Sequence, residues 1–272
     1  MLKPPFNRIL IANRGEIAIR ISRAAAELGC ASVAVFSTDD ASALHVHKAD
    51  AAHPLGKGGA AAYLDIDRIL AAAKATGCDA IHPGYGFLSE NAELAARARA
   101  AGIAFIGPSV AALRLFGDKV AARHLAAGAG VPVIEGTTGP TTLDEAEAFF
   151  GALKGGAMMI KAVSGGGGRG MRAVRDAGEI AEAFARCRSE AKAAFGDDAV
   201  YVERLVENAR HIEIQVAGDR DGAVVHFGER ECTLQRRNQK LVEVAPSPSL
   251  SDGLRNRIAA AALKLAREAR FE

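Results

Sequence analysis

Met158-Met159-Ile160-Lys161-Ala162-Val163-Ser164 runs directly into Gly165-Gly166-Gly167-Gly168-Arg169-Gly170-Met171. An apolar strand with a single lysine ends in a loop almost free of side chains, and Met171-Arg172-Ala173-Val174 then resumes a strand-like alternation. Glycines reach backbone angles closed to other residues. Their N–H groups can therefore converge into an anion nest, to which a nearby ammonium adds a full charge. The pattern predicts a grip on a polyphosphate rather than a flexible linker, because linkers are rarely both entered and left by strands.

Gly165, Gly167 and Gly170 satisfy G-x-G-x-x-G, but the dinucleotide fingerprint needs a helix directly after the glycines. Here a strand follows, and the next helix waits until about Gly178. No G-x-x-x-x-G-K-[ST] is present either. The glycines are thus expected at the tip of a hairpin that folds over phosphates as a flap.

Residues 8–116, on the N-terminal side, alternate strand and helix. Ile9-Leu10-Ile11-Ala12 is a continuous apolar run, as in a parallel strand buried on both faces. Asn13-Arg14-Gly15 opens a helix whose stripe is predicted as Ile17, Ile21, Ala24, Ala25 and Leu28, with Gly29 past its end. Strands are predicted at 31–36, 80–82 and 104–106, and helices from about Asp65 and from Asn91 to Ala101. Repeated βαβ units imply an open, doubly wound parallel sheet.

A short helical linker carrying Lys119 follows, between Gly107-Pro108 and Gly128-Ala129-Gly130. Thr142 and Glu145 form a capping box. Strand 157–162, the glycine tip, strand 171–175, helix 179–194 and strand 199–204 predict a small α+β lobe. Arg210 to Val216 alternates polar and apolar, and a turn at 219–222 leads to Ala223–Phe227, which predicts an antiparallel hairpin with one buried face. Ser251 caps a last helix. Hairpin and helix call for a larger sheet, so a further domain is expected to be cut short at residue 272. The expected boundaries are 1–116 for the doubly wound domain, 117–205 for linker and lobe, and 206–272 for the start of the last domain.

With 272 residues, 49% hydrophobic and 24% charged, the chain is ordinary globular material. A net charge of +2 gives no bulk attraction for nucleic acid or membrane surface, and neither is expected as a partner. The N-terminus lacks the apolar core of a signal peptide. Cys30, Cys78, Cys187 and Cys232 are scattered and read as reduced thiols of a cytoplasmic protein.

A nucleotide site needs charge for the phosphates and a clamp for ribose and base. Lys161 and the glycines supply charge. Spacing alone does not separate Lys119 from a surface lysine, nor Glu203 from an exposed strand end. Glu203 nevertheless stands where the chain leaves the lobe, and its carboxylate is expected to accept an adenine amino group while the backbone beyond it reads the ring edge. His211 shares a strand face with Glu213 and Gln215. The charged stretch 229–240 is expected to line the cleft floor, with Lys240 holding an anionic substrate. His82-Pro83-Gly84-Tyr85-Gly86-Phe87-Leu88-Ser89-Glu90-Asn91 follows a parallel strand, and ligands bind beyond such carboxyl ends.

Together, Ala12-Asn13-Arg14-Gly15-Glu16-Ile17-Ala18, the segment His82 to Asn91, Gly117-Asp118-Lys119, the loop Lys161 to Met171, His211 to Gln215 and Gln235-Arg236-Arg237 resemble biotin carboxylase over nearly the whole chain. The resemblance implies an ATP-grasp ligase: a doubly wound pre-ATP-grasp domain, an α+β ATP-grasp lid lobe and a truncated ATP-grasp core. It implies carboxylation of carrier-bound biotin, in which bicarbonate attacks the γ-phosphate of ATP to give carboxyphosphate. It also implies Mg²⁺, with ligands beyond residue 272, a biotin carboxyl carrier and a carboxyltransferase. By the same resemblance Lys119 and Lys161 bind phosphates, Gly167, Gly168 and Met171 belong to the flap, and Glu203, Arg204, Leu205 and Val206 form the adenine hinge. His211, Gln235 and Asn238 contact the nucleotide, Lys240 binds bicarbonate, and Tyr85 and Gly86 lie near biotin. Asn238 stands where bacterial subunits commonly carry histidine. Arg20, Arg23 and Glu27 fall at the family's dimer contact. Tyr85-Gly86-Phe87-Leu88 looks closer to acyl-CoA carboxylases than to pyruvate carboxylase, and the chain alone is expected to be inactive. Alternatives are a carbamoyl-phosphate synthetase-like ligase domain and a non-catalytic nucleotide- or partner-binding module.

Overall fold

The computed structural model describes residues 4–164, 170–219, 221–236 and 239–272. Two compact units divide between Leu113 and Arg114.

The first unit contains strands β1 (Arg8–Ile11), β2 (Ala31–Phe36), β3 (Ala51–Pro54), β4 (Ala80–His82) and β5 (Ala104–Phe105). All pair in parallel, in the order β3-β2-β1-β4-β5. Helices α1 (Gly15–Glu27), α2 (Leu44–Lys48), α3 (Ile66–Ala75) and α4 (Ala92–Ala100) connect them. Alternate residues of β1 serve opposite layers. Leu10 packs with Val33, Tyr63, Ile69, Ile81 and Leu94, whereas Ile9 and Ile11 join two clusters with residues of α1. This two-sided burial explains the unbroken apolar run. Asp65 and Asn91 cap α3 and α4, accepting from the amides of Arg68 (3.1 Å) and Leu94 (2.8 Å).

Two expectations for this unit need correction. Leu28 is off the buried stripe: it caps α1 at 59% exposure, and Ala18 and Ser22 are buried instead. Edge strand β3 was not predicted. Ala51-Ala52-His53-Pro54 has no β-branched residue and is largely exposed, so it carries none of the usual strand signals.

The second unit begins within α5 (Val110–Gly117) and continues through α6 (Lys119–Gly128) and α7 (Leu143–Ala152). The Thr142–Glu145 capping box is present. Strands β6 (Met158–Ala162), β7 (Met171–Val174) and β8 (Val200–Arg204) form an antiparallel sheet in the order β7-β6-β8, with α8 (Ile180–Phe195) packed on it. Met158, Ile160, Val174, Phe184, Cys187, Val200 and Val202 fill the layer between. Side chains alternate across a strand, so Met159, Lys161, Tyr201 and Glu203 share the opposite face.

Strands β9 (Ile212–Gly218), β10 (Val224–Arg236) and β11 (Gln239–Val244) form a second antiparallel sheet, order β11-β10-β9, against which α9 (Asp252–Glu268) packs. Buried Glu229 ties that helix down, accepting from Arg255 Nε (2.8 Å) and the Ser247 amide (3.1 Å). The expected single buried face of β9 is not seen, because its residues are mostly half-buried. The strand packs with α9, and Glu213 is held in ion pairs with Arg230 and Lys240 and beside His211. The stretch 229–240 is mostly paired strand of β10 and β11 among its described residues, and Thr233 and Gln235 from it line the cleft that Lys161 also lines. Among the described residues no helix is long and apolar enough to cross a membrane.

Candidate functional site

Lys161 sits on β6 beside Tyr201 of β8 and Met171 of β7, and Met159 sits beside Glu203. Beyond β8 the backbone turns through 205–211 into β9. Together these segments line a cleft of about 560 Å³, walled by Ile134, Met159, Lys161, Met171, residues 203–206, residues 209–212, Thr233 and Gln235.

Glu203 is the electrostatic centre of this wall, with only 5% of its surface exposed. Its Oε1 pairs with Lys161 Nζ. Its Oε2 accepts from Arg123 (3.2 Å) and the Tyr201 hydroxyl (3.3 Å). Burial, then the Glu203 charge, push the Tyr201 pKa up, so the hydroxyl stays a donor. Arg123 also donates to Ile134 O (2.6 Å) and lies over the Tyr201 ring at 5.8 Å. The carboxylate expected to meet an adenine amino group thus lines the cleft with three protein partners already on it. In the hinge beyond it, the Arg204 and Leu205 amides are committed to Glu135 O and Ala157 O, both at 2.8 Å. Among the described residues the Val206 amide has no protein partner, and it lines the cleft.

Lys119 opens α6, which Asp118 caps by accepting from the Val120 and Ala121 amides. Its Nζ reaches Ala162 O at 3.4 Å, at the mouth of the glycine loop. Gly170 closes that mouth at φ +64°, its carbonyl accepting from the Ala162 amide (2.8 Å). Gly167, Gly168 and Asn238 lie outside the described residues.

His211 lies between Gln235 Nε2 (2.7 Å from Nδ1) and Glu213 Oε1 (2.9 Å from Nε2). Glu213 also pairs with Lys240 and, at 2.7 Å, with Arg230. Burial would raise the Glu213 pKa, but the Lys240 hydrogen bond and charge, with Arg230 and His211, hold it below the usual carboxylate range. One carboxylate thus links the cleft residue His211 to Lys240. Lys240 was expected on the cleft floor; the structure seats it on β11 against Glu213.

Sequence reasoning missed Arg123, Tyr201 and Gly136. Arg123 lies four residues after Lys119 on one helix, a spacing that puts both on one side. Gly136 bridges Glu203, and a Cβ there would stand 2.7 Å from Val202 O and 2.9 Å from Arg123 Nη2. A backbone carbonyl of a paired strand cannot yield. Gly136→Ala is therefore expected to cost about 1–3 kcal/mol and to displace Arg123. Urea denaturation checks this, and an unchanged midpoint would contradict the packing described.

In the first unit, the loops after β1 and β4 meet at the point where strand order reverses, the usual position of a ligand crevice. Asn13 Nδ2 donates to Pro83 O (2.7 Å) and Tyr85 O (2.8 Å). Gly84 has φ +66°, and a Cβ would stand 2.7 Å from Asn13 Nδ2, so only glycine fits. Tyr85 is 61% exposed, with its hydroxyl on Glu16. This bond lowers the Glu16 pKa and raises that of Tyr85. Gly86, at φ +65°, completes the turn. Arg20, Arg23 and Glu27 are exposed on α1.

The family model described as "Biotin carboxylase, N-terminal domain" matches residues 5–113, and that described as "Carbamoyl-phosphate synthase L chain, ATP binding domain" matches residues 118–272. Pyruvate carboxylase of Bacillus subtilis is 54% identical over 273 residues, covering all of this chain and 24% of that protein. The chain therefore spans about a quarter of the curated relatives' length. A Campylobacter jejuni biotin carboxylase, solved as a β-γ-ATP complex, superposes with a TM-score of 0.95 at 43% identity, over 98% of this chain and 60% of that one. A single-chain, multi-domain long-chain acyl-CoA carboxylase gives 0.80 at 42%, over 98% of this chain and 23% of that one.

Proposed function

The chain belongs to the biotin carboxylase family, and on that premise we propose that it forms the nucleotide-gripping part of an ATP-dependent ligase that carboxylates carrier-bound biotin with bicarbonate. The observation that carries this reading is the 203–212 cleft, lined both by a lysine paired with a buried carboxylate and by Val206, whose amide has no protein partner among the described residues. A nucleotide needs that pairing of charge and ring-edge donor. The solved Campylobacter relative was crystallised with an ATP analogue, which supports the assignment.

In this reading Val206 N meets the adenine edge, with Arg204 and Leu205 fixing the hinge through their strand bonds. Met159, Met171 and Ile134 supply apolar walls for the base. His211, Gln235 and Asn238 orient the ribose. Lys119 and Lys161 converge on the phosphates beside Gly167 and Gly168. Lys240 draws bicarbonate, whose oxygen attacks the γ-phosphorus and displaces ADP to give carboxyphosphate. This breaks down to CO₂ and phosphate, and the biotin ureido nitrogen gives up its proton and takes the CO₂. Positioning and charge stabilisation are the protein's main contribution to such a transfer. Tyr85 and Gly86 are assigned to biotin. Among the described residues no three carboxylates, histidines or cysteines gather to hold a metal. The domains are assigned as 1–116, 117–205 and 206–272, pairing through Arg20, Arg23 and Glu27 is proposed by analogy with a 2-oxoglutarate carboxylase domain solved as a dimer, and the four buried free cysteines suit a reducing compartment such as the cytoplasm.

The final acceptor is read on a carboxyltransferase. Tyr85-Gly86-Phe87-Leu88 suggested an acyl-CoA; among solved relatives the identity of 48% to a pyruvate carboxylase, against 42% to the acyl-CoA carboxylase, favours pyruvate. The test is ATP hydrolysis by the protein at its full natural length with bicarbonate. Stimulation by free biotin is expected. Stimulation by ammonia without biotin would move the assignment to a carbamoyl-phosphate synthetase-like ligase, whose ATP-binding domain gives its name to the second family match. Silence with both leaves a non-catalytic nucleotide-binding module. Pyruvate and acyl-CoA then compete as acceptors in the biotin-positive case.

A further inference from the structure

We propose that Arg123 is a positioning residue that retains Glu203 as a counter-ion, so that Lys161 can leave the ion pair for a polyphosphate. The inference rests on the nucleotide reading of the cleft. Three observations carry it. The carboxylate is buried and shared, with one oxygen on Lys161 and the other on Arg123 and Tyr201. Arg123 is held independently by Ile134 O and by the Tyr201 ring, and it does not line the cleft. Lys161 does line the cleft, and among the described residues Glu203 is its one ion-pair partner.

The physical consequence follows from the cost of a lone buried charge. If Lys161 alone balanced Glu203, moving its ammonium to a phosphate would strand a carboxylate in the wall, which is strongly unfavourable. With Arg123 in place the carboxylate stays paired whichever way Lys161 turns. Two cations on one anion also leave the group with a net positive charge, and the mobile cation is the one that faces the cleft. Arg123 thereby sets the availability of Lys161 without touching the ligand.

The test uses the whole chain with Arg123→Met and Arg123→Lys. The first readout is acetylation of Lys161 by acetic anhydride, followed by mass spectrometry against Lys74 and Lys264 as internal references. In Arg123→Met, Glu203 serves Lys161 alone, so acetylation is expected to slow by about threefold or more, and Arg123→Lys is expected to restore most of the rate. A merely structural loss would loosen the wall and speed the reaction. Equal or faster acetylation overturns the proposal. The second readout is the dissociation constant of ADP and of adenosine. ADP is expected to bind about tenfold more weakly to Arg123→Met with adenosine within about twofold. Slowed acetylation with unchanged ADP affinity overturns the proposal while leaving the nucleotide site intact. A wild-type chain that binds neither ligand strikes the nucleotide reading itself, and the inference falls with it.

Discussion

Asp40→Ala is expected to destabilise the first unit by about 3 kcal/mol. The carboxylate is buried and accepts from Arg14 Nε (2.7 Å), the Tyr63 hydroxyl (2.7 Å) and the Ser37 hydroxyl (3.1 Å). Arg14 is half-exposed and can turn to water after the change. Tyr63 and Ser37 cannot, and two stranded hydroxyls carry most of the cost. Tyr63 also stacks on Phe87 at 5.2 Å, within the turn that presents Tyr85 and Gly86, so the loss reaches the edge of the proposed biotin site.

The same group gives a pH signature. The Arg14 hydrogen bond leads the effects that hold the Asp40 pKa at about 2 against an ordinary 3.8, and burial opposes it. A depressed carboxylate pKa contributes stability that is fully present above the unfolded value and lost as pH falls through the folded one. Asp40 should thus contribute about 2 kcal/mol near neutrality, declining from about pH 4 to about pH 2. Asp40→Asn should remove that slope in chemical denaturation monitored by circular dichroism. A wild-type stability flat across this window would sink the assignment.

What the residues revealed in advance was local. Ile9-Leu10-Ile11 announced a strand buried on both faces because every position was apolar, and Thr142 with Glu145 marked a helix start because the cap is built from four consecutive residues. The strand–glycine–strand pattern marked β6 and β7 because each strand is a local run, and Lys161 on β6 lines the cleft. Long-range pairings stayed hidden. Arg123 meets Glu203 eighty positions away, and its i,i+4 spacing from Lys119 gives it a side of the helix but no partner. Lys240 and His211 were each read as free to bind a ligand, yet both converge on Glu213, a residue noted only as a neighbour. The extent of β10 was missed because Gly228, at φ +87°, falls at a register shift between His226 and Glu229 and looks like a turn in sequence.

Lys161→Gln is expected to weaken binding of nucleoside di- and triphosphates by about 10- to 100-fold, the scale of one charge-assisted hydrogen bond at a partly buried site. The fold should survive. Glutamine can still donate to Glu203 Oε1, and Arg123 continues to neutralise the carboxylate, so no buried charge is orphaned. Glu203→Gln is the informative contrast: it leaves Lys161 and Arg123 facing each other across a neutral amide, repels them, and should lower stability as well as affinity. The pair of variants separates charge from architecture. Adenosine, which lacks phosphate, should bind Lys161→Gln as it binds wild type, because its proposed contacts are with Val206 N and the apolar wall rather than with Lys161. Calorimetric titration of ADP, ATP and adenosine measures all three. Loss of adenosine affinity in Lys161→Gln would mean that the lysine braces the wall rather than gripping phosphate, and unaltered ATP affinity would remove Lys161 from the site altogether.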